Sequence, residues 1–437
     1  MVRETEPGLH HMNASQAPRA VQQLDGAYRI RRAESARDAR KLHDLFAEVF
    51  HPEEVGVLAE TMFHHLPRME YRYWFIAEEV KTERIVSAFA LIPWTWEMEG
   101  VRLKVAEMGI VGTLKAHRWQ GLMRALNTEF DATLRERSFD LAVIQGTPGF
   151  YQQFGFSYAV PLENHINLPL HVISEEREGD PFTFRLAVEG DIPFLIKEDE
   201  AYRAEFSLSA VRDEAIWRYL LTHSLGTEYG SEFWIMERCA GTERFYCRMP
   251  AQGFGTGIIV SEVSDGISAA GLEHLFAFCG QIARERNKPY IRLNLHDESR
   301  GARVAIGMGA KKNMPYAWQI KFPSRAGILT KLAPLLEERM KGSCFQGFSG
   351  TLRLDFFKTA IDLVWSEGVL ESVGPATGEA QHSLAVAADL LPALCLGHRT
   401  WRELRYIRPD IFPRSDKTGL IADVLFPARR SWIHEQY

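Results

Sequence analysis

Cysteine is scarce in this chain and missing from its first 238 residues. Five occur in 437 residues, at Cys239, Cys247, Cys279, Cys344 and Cys395. They are widely spaced and odd in number, which points to a reducing, cytoplasmic setting and away from a disulfide framework. No Cys-x-x-Cys and no His-Glu-x-x-His occurs, and the neighbours His10-His11 and His64-His65 would diverge on a helix. No metal site is expected. Gly-x-Ser-x-Gly is also absent, which removes the simplest esterase route. The longest apolar run, Ile85 to Trp96, is too short to span a bilayer and already contains Pro93. Residues 1–26 are polar, lack an apolar secretory core and read as a disordered extension. A net charge of -6 over the whole length argues against a nucleic-acid partner or an anionic membrane surface, and is compatible with a cationic substrate.

The length instead allows two or three domains, each with its own core. The most informative stretch runs from Glu107 to Arg124. Met108 to Thr113 is apolar and suits a buried strand, while Leu122, Leu126, Phe130 and Leu134 recur at helical spacing. The polar turn between them, Lys115 to Gln120, opens into a helix whose first N–H groups and positive dipole end suit a phosphate. Gly121 would allow the ligand close to the backbone. Neither a Walker loop nor a Rossmann fingerprint is present.

Before this stretch the pattern predicts a strand at Tyr28 to Arg32, a helix from Ala36 to Phe50 capped by Ser35, and a helix over Val55 to His65. Strands at Tyr73 to Glu78, Arg84 to Ile92, Trp94 to Glu99 and Val101 to Ala106 follow, with Glu99-Gly100 as a turn. Asp140 to Gln145 reads as a further strand, and Pro148 opens a short helix carrying Phe150 and Tyr151. A polar linker spans Ser174 to Asp180. Beyond it the order of elements restarts between Phe182 and Leu295, without a phosphate loop. Gly253-x-Gly255-x-Gly257 precedes a strand and reads as a hairpin. From Arg325 onward the pattern predicts one helix over Ile328 to Met340, strands near Gly350 to Phe356 and Ile361 to Trp365, helices near Ala385 to Leu391 and Thr400 to Arg405, and a last strand at Leu420 to Phe426.

Arg118-x-x-Gly121-x-Met123 resembles the Arg/Gln-x-x-Gly-x-Gly/Ala pyrophosphate motif of the GNAT acetyltransferases, with Met123 as a departure at the last position. Phe150-Tyr151-x-x-Phe154-Gly155-Phe156 follows downstream in the same order as in that family. With the restarted pattern and the ending Val424-Leu-Phe-Pro-x-x-x-Ser-Trp432, the chain resembles the Eis (enhanced intracellular survival) proteins. The resemblance implies an α+β chain: a catalytic GNAT domain at 27–173, a degenerate GNAT-like domain at 181–323 and a sterol-carrier-protein-like domain at 325–437. It also implies acetyl-CoA as cosubstrate, a primary amine of aminoglycoside, polyamine or lysine type as acceptor, and a homo-oligomer, possible as a hexamer. An acyl-CoA-binding or lipid-carrier protein without catalysis, and an N-acyltransferase for longer chains, are the alternatives.

Carried onto these residues, the resemblance has Val111, Gly112 and Thr113 pair with the pantetheine. Arg118, Trp119, Gln120, Gly121, Leu122, Met123 and Arg124 hold the pyrophosphate, and Gly146 and Thr147 flank the arm. Tyr151 stands where the family places its general acid, and a phenol with pKa near ~10 keeps its proton at neutral pH until a thiolate takes it. The base is the terminal carboxylate of Tyr437 or Glu107. The first is preferred because strand alternation can turn Glu107 elsewhere. Trp94, Trp96 and Tyr73 are either acceptor-pocket or core residues. The first domain has no cysteine to acylate, so direct attack in a ternary complex is expected.

Overall fold

The structure, a computed structural model, describes residues 22–24, 26–174, 182–238, 243–253 and 255–437. Most of the expected N-terminal extension, the linker at 175–180, Cys239 and Phe254 within the glycine run lie outside the described residues. Gln22–Leu24, assigned above to the extension, form a strand instead.

The first unit begins with β1 (Gln22–Leu24) and β2 (Tyr28–Arg32), then helices α1 (Arg37–Phe50) and α2 (Val55–His65). Strands β3 (Trp74–Glu79), β4 (Arg84–Met98) and β5 (Val101–Thr113) follow. The strands expected at Arg84 to Ile92 and Trp94 to Glu99 are one continuous β4, since Pro93 lies within the ladder without ending it. Glu99 and Gly100 turn the chain, both at positive φ, the combination that matches the twist of a two-residue hairpin. Ser35 is not the cap of α1. The Arg37 N–H reaches its hydroxyl only at 3.4 Å, and Ala36 precedes the helix without a side-chain cap. Helix α3 (Leu122–Glu136), β6 (Leu141–Ile144) and β7 (Ser157–Glu163) complete the unit in sequence.

β8 (Ile166–Pro169) follows on the first unit's side of the linker, and the second unit contains β9 (Phe182–Leu186), α4 (Ile192–Arg203), β10 (Leu208–Ala210), α5 (Glu214–Thr222), β11 (Ser231–Arg238) and β12 (Arg244–Pro250). It continues with β13 (Ile258–Val260), β14 (Glu262–Val263), α6 (Ala269–Glu285), β15 (Tyr290–Leu293), α7 (Arg300–Gly307), β16 (Lys311–Lys312) and β17 (Tyr316–Lys321). The two units exchange strands. β17 inserts between β6 and β7 of the first sheet, antiparallel to both, while β8 pairs with β15 and β16 of the second unit. β10 joins the far end of β4 through Leu208 and Met98. A cut between 173 and 181 therefore separates strands that share a sheet.

The third unit holds α8 (Arg325–Lys331), α9 (Ala333–Lys341), β18 (Gly350–Asp355), β19 (Ala360–Ser366), β20 (Val369–Pro375), β21 (His382–Ala385), α10 (Leu391–Cys395), α11 (Trp401–Ile407), β22 (Phe412–Pro413) and α12 (Asp416–Leu425). Its five strands run in the order β20-β19-β18-β21-β22. The single helix expected over Ile328 to Met340 is broken at Leu332, with Pro334 opening the second piece. His382–Ala385 is strand where a helix was expected near Ala385 to Leu391, and that helix begins at Leu391. The strand expected over Leu420 to Phe426 is the helix α12. The hydroxyl of Ser415 accepts the Thr418 N–H, and Ile421, Ala422 and Leu425 are buried while Leu420 is exposed, a helical and not an alternating pattern.

One core cluster of buried residues runs through the first unit, part of the second and the third, ending in Ile433 and Tyr437. A second fills the space around α6. After α12 the chain returns across the molecule. Ser431 bridges Leu208, the Ser207 N–H donates to Arg430, and the Trp432 N–H donates to Leu208. Apart from half-buried Glu435, residues 431–437 are buried.

Candidate active site

β5 and β6 are parallel neighbours for three residues only. Val105, Ala106 and Glu107 pair with Leu141, Ala142 and Val143, and beyond Glu107 the ladder between them stops. β5 carries a bulge at this point, where the register to β4 slips between Ala90 opposite Gly109 and Ala88 opposite Gly112. Ile110 takes φ +53°, a strained value for a β-branched residue that the extra bulge residue explains. The two strands part into an opening whose apex is Glu107. One edge is Val111, Gly112 and Thr113; the other is Gln145, Gly146 and Thr147.

On the first edge, the side chains of the expected cofactor residues serve the fold. Thr113 pairs its hydroxyl with Ser87 at 2.7 Å, and a Cβ on Gly112 would lie 3.0 Å from the Phe46 ring of α1. What this edge offers a ligand is backbone. The chain then passes through a 3-10 turn, Lys115–His117, and Arg118 folds its Nε back to the Thr113 carbonyl at 3.3 Å. Trp119 and Gly121 both take positive φ, and Trp119 is fully exposed. α3 starts at Leu122 without a side-chain cap and without an acidic residue in its first turn, so its leading N–H groups and positive dipole end are not offset locally. Leu122 is buried, Met123 half-buried against the core, and Gln120 and Arg124 are exposed.

On the second edge the Tyr151 ring packs against Gly146: a Cβ there would come within 2.3 Å of it, so glycine is required by close approach. The short helix expected from Pro148 is a 3-10 helix that begins at Tyr151 and runs to Phe154, leaving Phe150 just before it. Burial, with Tyr316 nearby, pushes its phenol above the ordinary tyrosine value. The Gly146 carbonyl accepts from Tyr316 Oη and from Gln319 Nε2 at 2.9 Å. Both belong to the exchanged strand β17. Nothing in the local sequence around Gly146 signals either residue.

At the apex Glu107 is buried, and its Oε1 accepts from the Tyr437 hydroxyl at 2.7 Å. Gln145 Nε2 stands 3.4 Å from both Glu107 Oε1 and Tyr437 Oη. Burial pushes the Glu107 carboxyl up to about 8, and the hydrogen bond from Tyr437 holds it from rising further. Glu107 thus faces the tail, contrary to the concern that strand alternation turns it away. Trp94 packs edge-on against Tyr437 at 5.8 Å and against Trp318 at 6.0 Å, while Trp96 is fully buried beside Trp318. Tyr73 packs against Phe139 in the core.

The structure therefore brings Glu107, Tyr437 and Gln145 into one hydrogen-bonded group at the point where β5 and β6 part, with Tyr151 packed on Gly146, the residue after Gln145. A main-chain oxygen of Tyr437 has a different partner. It accepts from Arg248 Nη2 at 3.1 Å, a buried guanidinium of β12 that the sequence did not single out.

Residues 29–159 match the acetyltransferase (GNAT) domain family. The parted strands, the uncapped helix and Tyr151 all fall in or at the edges of this GNAT domain. No curated protein matches the chain in sequence. In structure it is similar to a conserved protein of unknown function from Enterococcus faecalis described as a probable N-acyltransferase, with 15% identity, TM-score 0.66, 94% of this chain and 99% of that one covered. It is also similar to a GCN5-related N-acetyltransferase from Anabaena variabilis, with 13% identity, TM-score 0.63, 93% and 99% covered. A third is Eis1 from Mycobacterium abscessus, with 14% identity, TM-score 0.57, 94% and 100% covered. The likeness thus extends over all three units. The fold is α+β with an N-acetyltransferase domain, and among the described residues no helix is long and apolar enough to cross a membrane.

Proposed function

We propose that the chain is an acetyl-CoA-dependent N-acetyltransferase that transfers the acetyl group to a primary amine by direct attack in a ternary complex. The observation that carries this is the opening between β5 and β6 with Glu107 at its apex and Tyr151 on its rim. The pantetheine lies along Val111 to Thr113, with Gly146 and Thr147 opposite. The pyrophosphate rests on the N–H groups of Trp119 to Arg124 at the start of α3, with Arg118 adding charge.

An alkylammonium has no lone pair and must lose a proton before it attacks the thioester carbonyl. Two groups compete to take it, and two observations favour Glu107 over the Tyr437 carboxylate. Glu107 is poised near neutrality, with pKa about 8. The Tyr437 main-chain oxygen, in contrast, is engaged by the Arg248 guanidinium at 3.1 Å. In this reading Tyr437 acts through its hydroxyl, relaying or orienting the proton on Glu107. After the tetrahedral intermediate collapses, the thiolate of coenzyme A leaves and Tyr151, whose phenol keeps its proton at neutral pH, supplies one.

A cationic acceptor suits the surroundings: Glu435, Glu107, Glu228 and Glu163 all act on the Tyr229 phenol, and Tyr229 meets the Tyr437 ring at 5.5 Å. Aminoglycoside-, polyamine- and lysine-like amines are the acceptors to try first. The third unit is read as sterol-carrier-protein-like, and assembly as a homo-oligomer and a cytoplasmic location belong to the same reading. Incubating the full chain with acetyl-CoA and a panel of such amines, followed by mass spectrometry, tests it. Acetylated amine matched by free coenzyme A is expected. Coenzyme A release at the hydrolytic background for every amine would contradict it.

A further inference from the structure

Among the described residues the second unit has no Arg-x-x-Gly turn that opens a helix, yet it buries a set of charges that an apolar core would not need. Arg248 on β12, Glu262 on β14, Arg212 before α5 and Asp199 on α4 are all almost fully buried. Arg212 grips Glu262 with both terminal nitrogens, at 2.8 and 2.9 Å, and pairs with Asp199. Arg248 Nη1 donates to Glu262 at 3.0 Å, Arg248 Nε to Ser231 at 2.8 Å, and the Tyr246 hydroxyl to Glu262 at 2.9 Å. Burial pushes the Glu262 carboxyl up, but Arg212, His434 and Arg248 together hold it below the usual range, so it stays ionised. Charges buried in this way cost desolvation that apolar packing avoids, so their presence is better explained by what they hold in place.

They hold the tail. Arg248 Nη1 donates to the Glu435 carbonyl at 3.2 Å, and Nη2 to a main-chain oxygen of Tyr437 at 3.1 Å. His434 Nδ1 lies 3.2 Å from Arg212 and 3.5 Å from Asp199. The same residue, Tyr437, then carries its hydroxyl to Glu107 in the first unit. We infer that Arg248 is a positioning residue for the transfer site: it clamps the main chain of the tail so that the Tyr437 ring seals Glu107 from water and its hydroxyl orients the carboxyl. The degenerate second unit thereby serves as the receptor of the segment that completes the first. This rests on the reading of Glu107 as the base.

Besides Glu107 itself, the titratable groups acting there are Tyr437 and Glu435 of the tail and Tyr229 after α5. Releasing the tail removes both its cover and the Glu435 charge from Glu107. The experiment is infrared difference titration of the Glu107 carboxyl in the full chain, with the band assigned by its loss in Glu107→Gln. This readout does not depend on turnover. In Arg248→Gln the midpoint falls by about one pH unit or more toward the ordinary glutamate value, because water reaches the carboxyl. In Tyr437→Phe it moves the opposite way, because the ring still excludes water but the hydroxyl no longer favours the ionised form. Arg248→Lys, which keeps the charge without the fork, falls between wild type and Arg248→Gln. An unmoved midpoint in Arg248→Gln overturns the inference. If that variant does not fold, a wild-type midpoint in Arg248→Lys overturns it. Failure of the proposed function shows differently, as absent acetyl transfer in the wild-type chain with these titration shifts intact.

Discussion

A carboxyl that titrates near 8 can accept and return a proton at neutral pH, and Glu107 reaches that range through burial and not through a neighbouring negative charge as the main cause. The same shift has a consequence for stability. The folded-state pKa lies above the unfolded one, near ~4.3 for a free glutamate, so folding is favoured below that value and loses free energy as pH rises to about 8. Glu107→Gln removes the titration. The melting temperature of the variant relative to wild type should rise across this window and level off above it, by an amount corresponding to a few kcal/mol. Thermal melts at a series of pH values check this, and parallel profiles for the two proteins would show that Glu107 is not perturbed as described. Tyr151 is shifted the same way: burial raises its phenol, which therefore stays protonated at neutral pH.

At the level of elements, the exchanged strand β17 matters most. It supplies Tyr316 and Gln319 to the Gly146 carbonyl and fills the gap between β6 and β7. Without it β6 loses its partner on that side and Trp318 leaves the pair Trp94 and Trp96. A fragment of residues 27–173 should therefore lack a folded core, visible as a collapsed amide dispersion in its NMR spectrum. A well-dispersed spectrum would mean the first unit stands without the exchange. The exchange was not legible in the chain, because Tyr316 to Lys321 has the same apolar pattern whichever sheet it joins, and its partners are some 150 residues away in sequence. Local features were legible: the start of α3 at Gly121 follows from turn and helical period, and the Glu99-Gly100 hairpin from its residues. Residues 420–426 were misread because Leu420, Ile421, Val424, Leu425 and Phe426 suit either period. The Ser415 cap, five residues earlier, was the signal that separates them.

At the scale of the whole molecule, the three units are tied by residues 431–437, which pass along β10, enter the charge network of the second unit and end against Glu107. The family resemblance set Glu107 and the Tyr437 carboxylate as rival bases. That the two residues are bonded to each other, and that Arg248 holds the second, depends on contacts across some 330 and 189 positions of the chain. Because a main-chain oxygen of Tyr437 is held by Arg248, a C-terminal extension of a few residues should unseat the tail and lower kcat by about tenfold or more, while the affinity for coenzyme A, proposed above to rest at the start of α3, should stay the same. Full activity with an extension would detach the tail from the reaction.

The most direct test of the account is Tyr151→Phe in the full chain, assayed for coenzyme A affinity by calorimetry and for acetyl transfer to an accepted amine. The change removes one hydroxyl and leaves the ring on Gly146, so the fold and the proposed cofactor cradle should persist. Transfer should fall by about a hundredfold or more, with the coenzyme A Kd unchanged within about a factor of two. Transfer at the wild-type rate would contradict the assignment of Tyr151 as the acid and with it the site at the parting of β5 and β6.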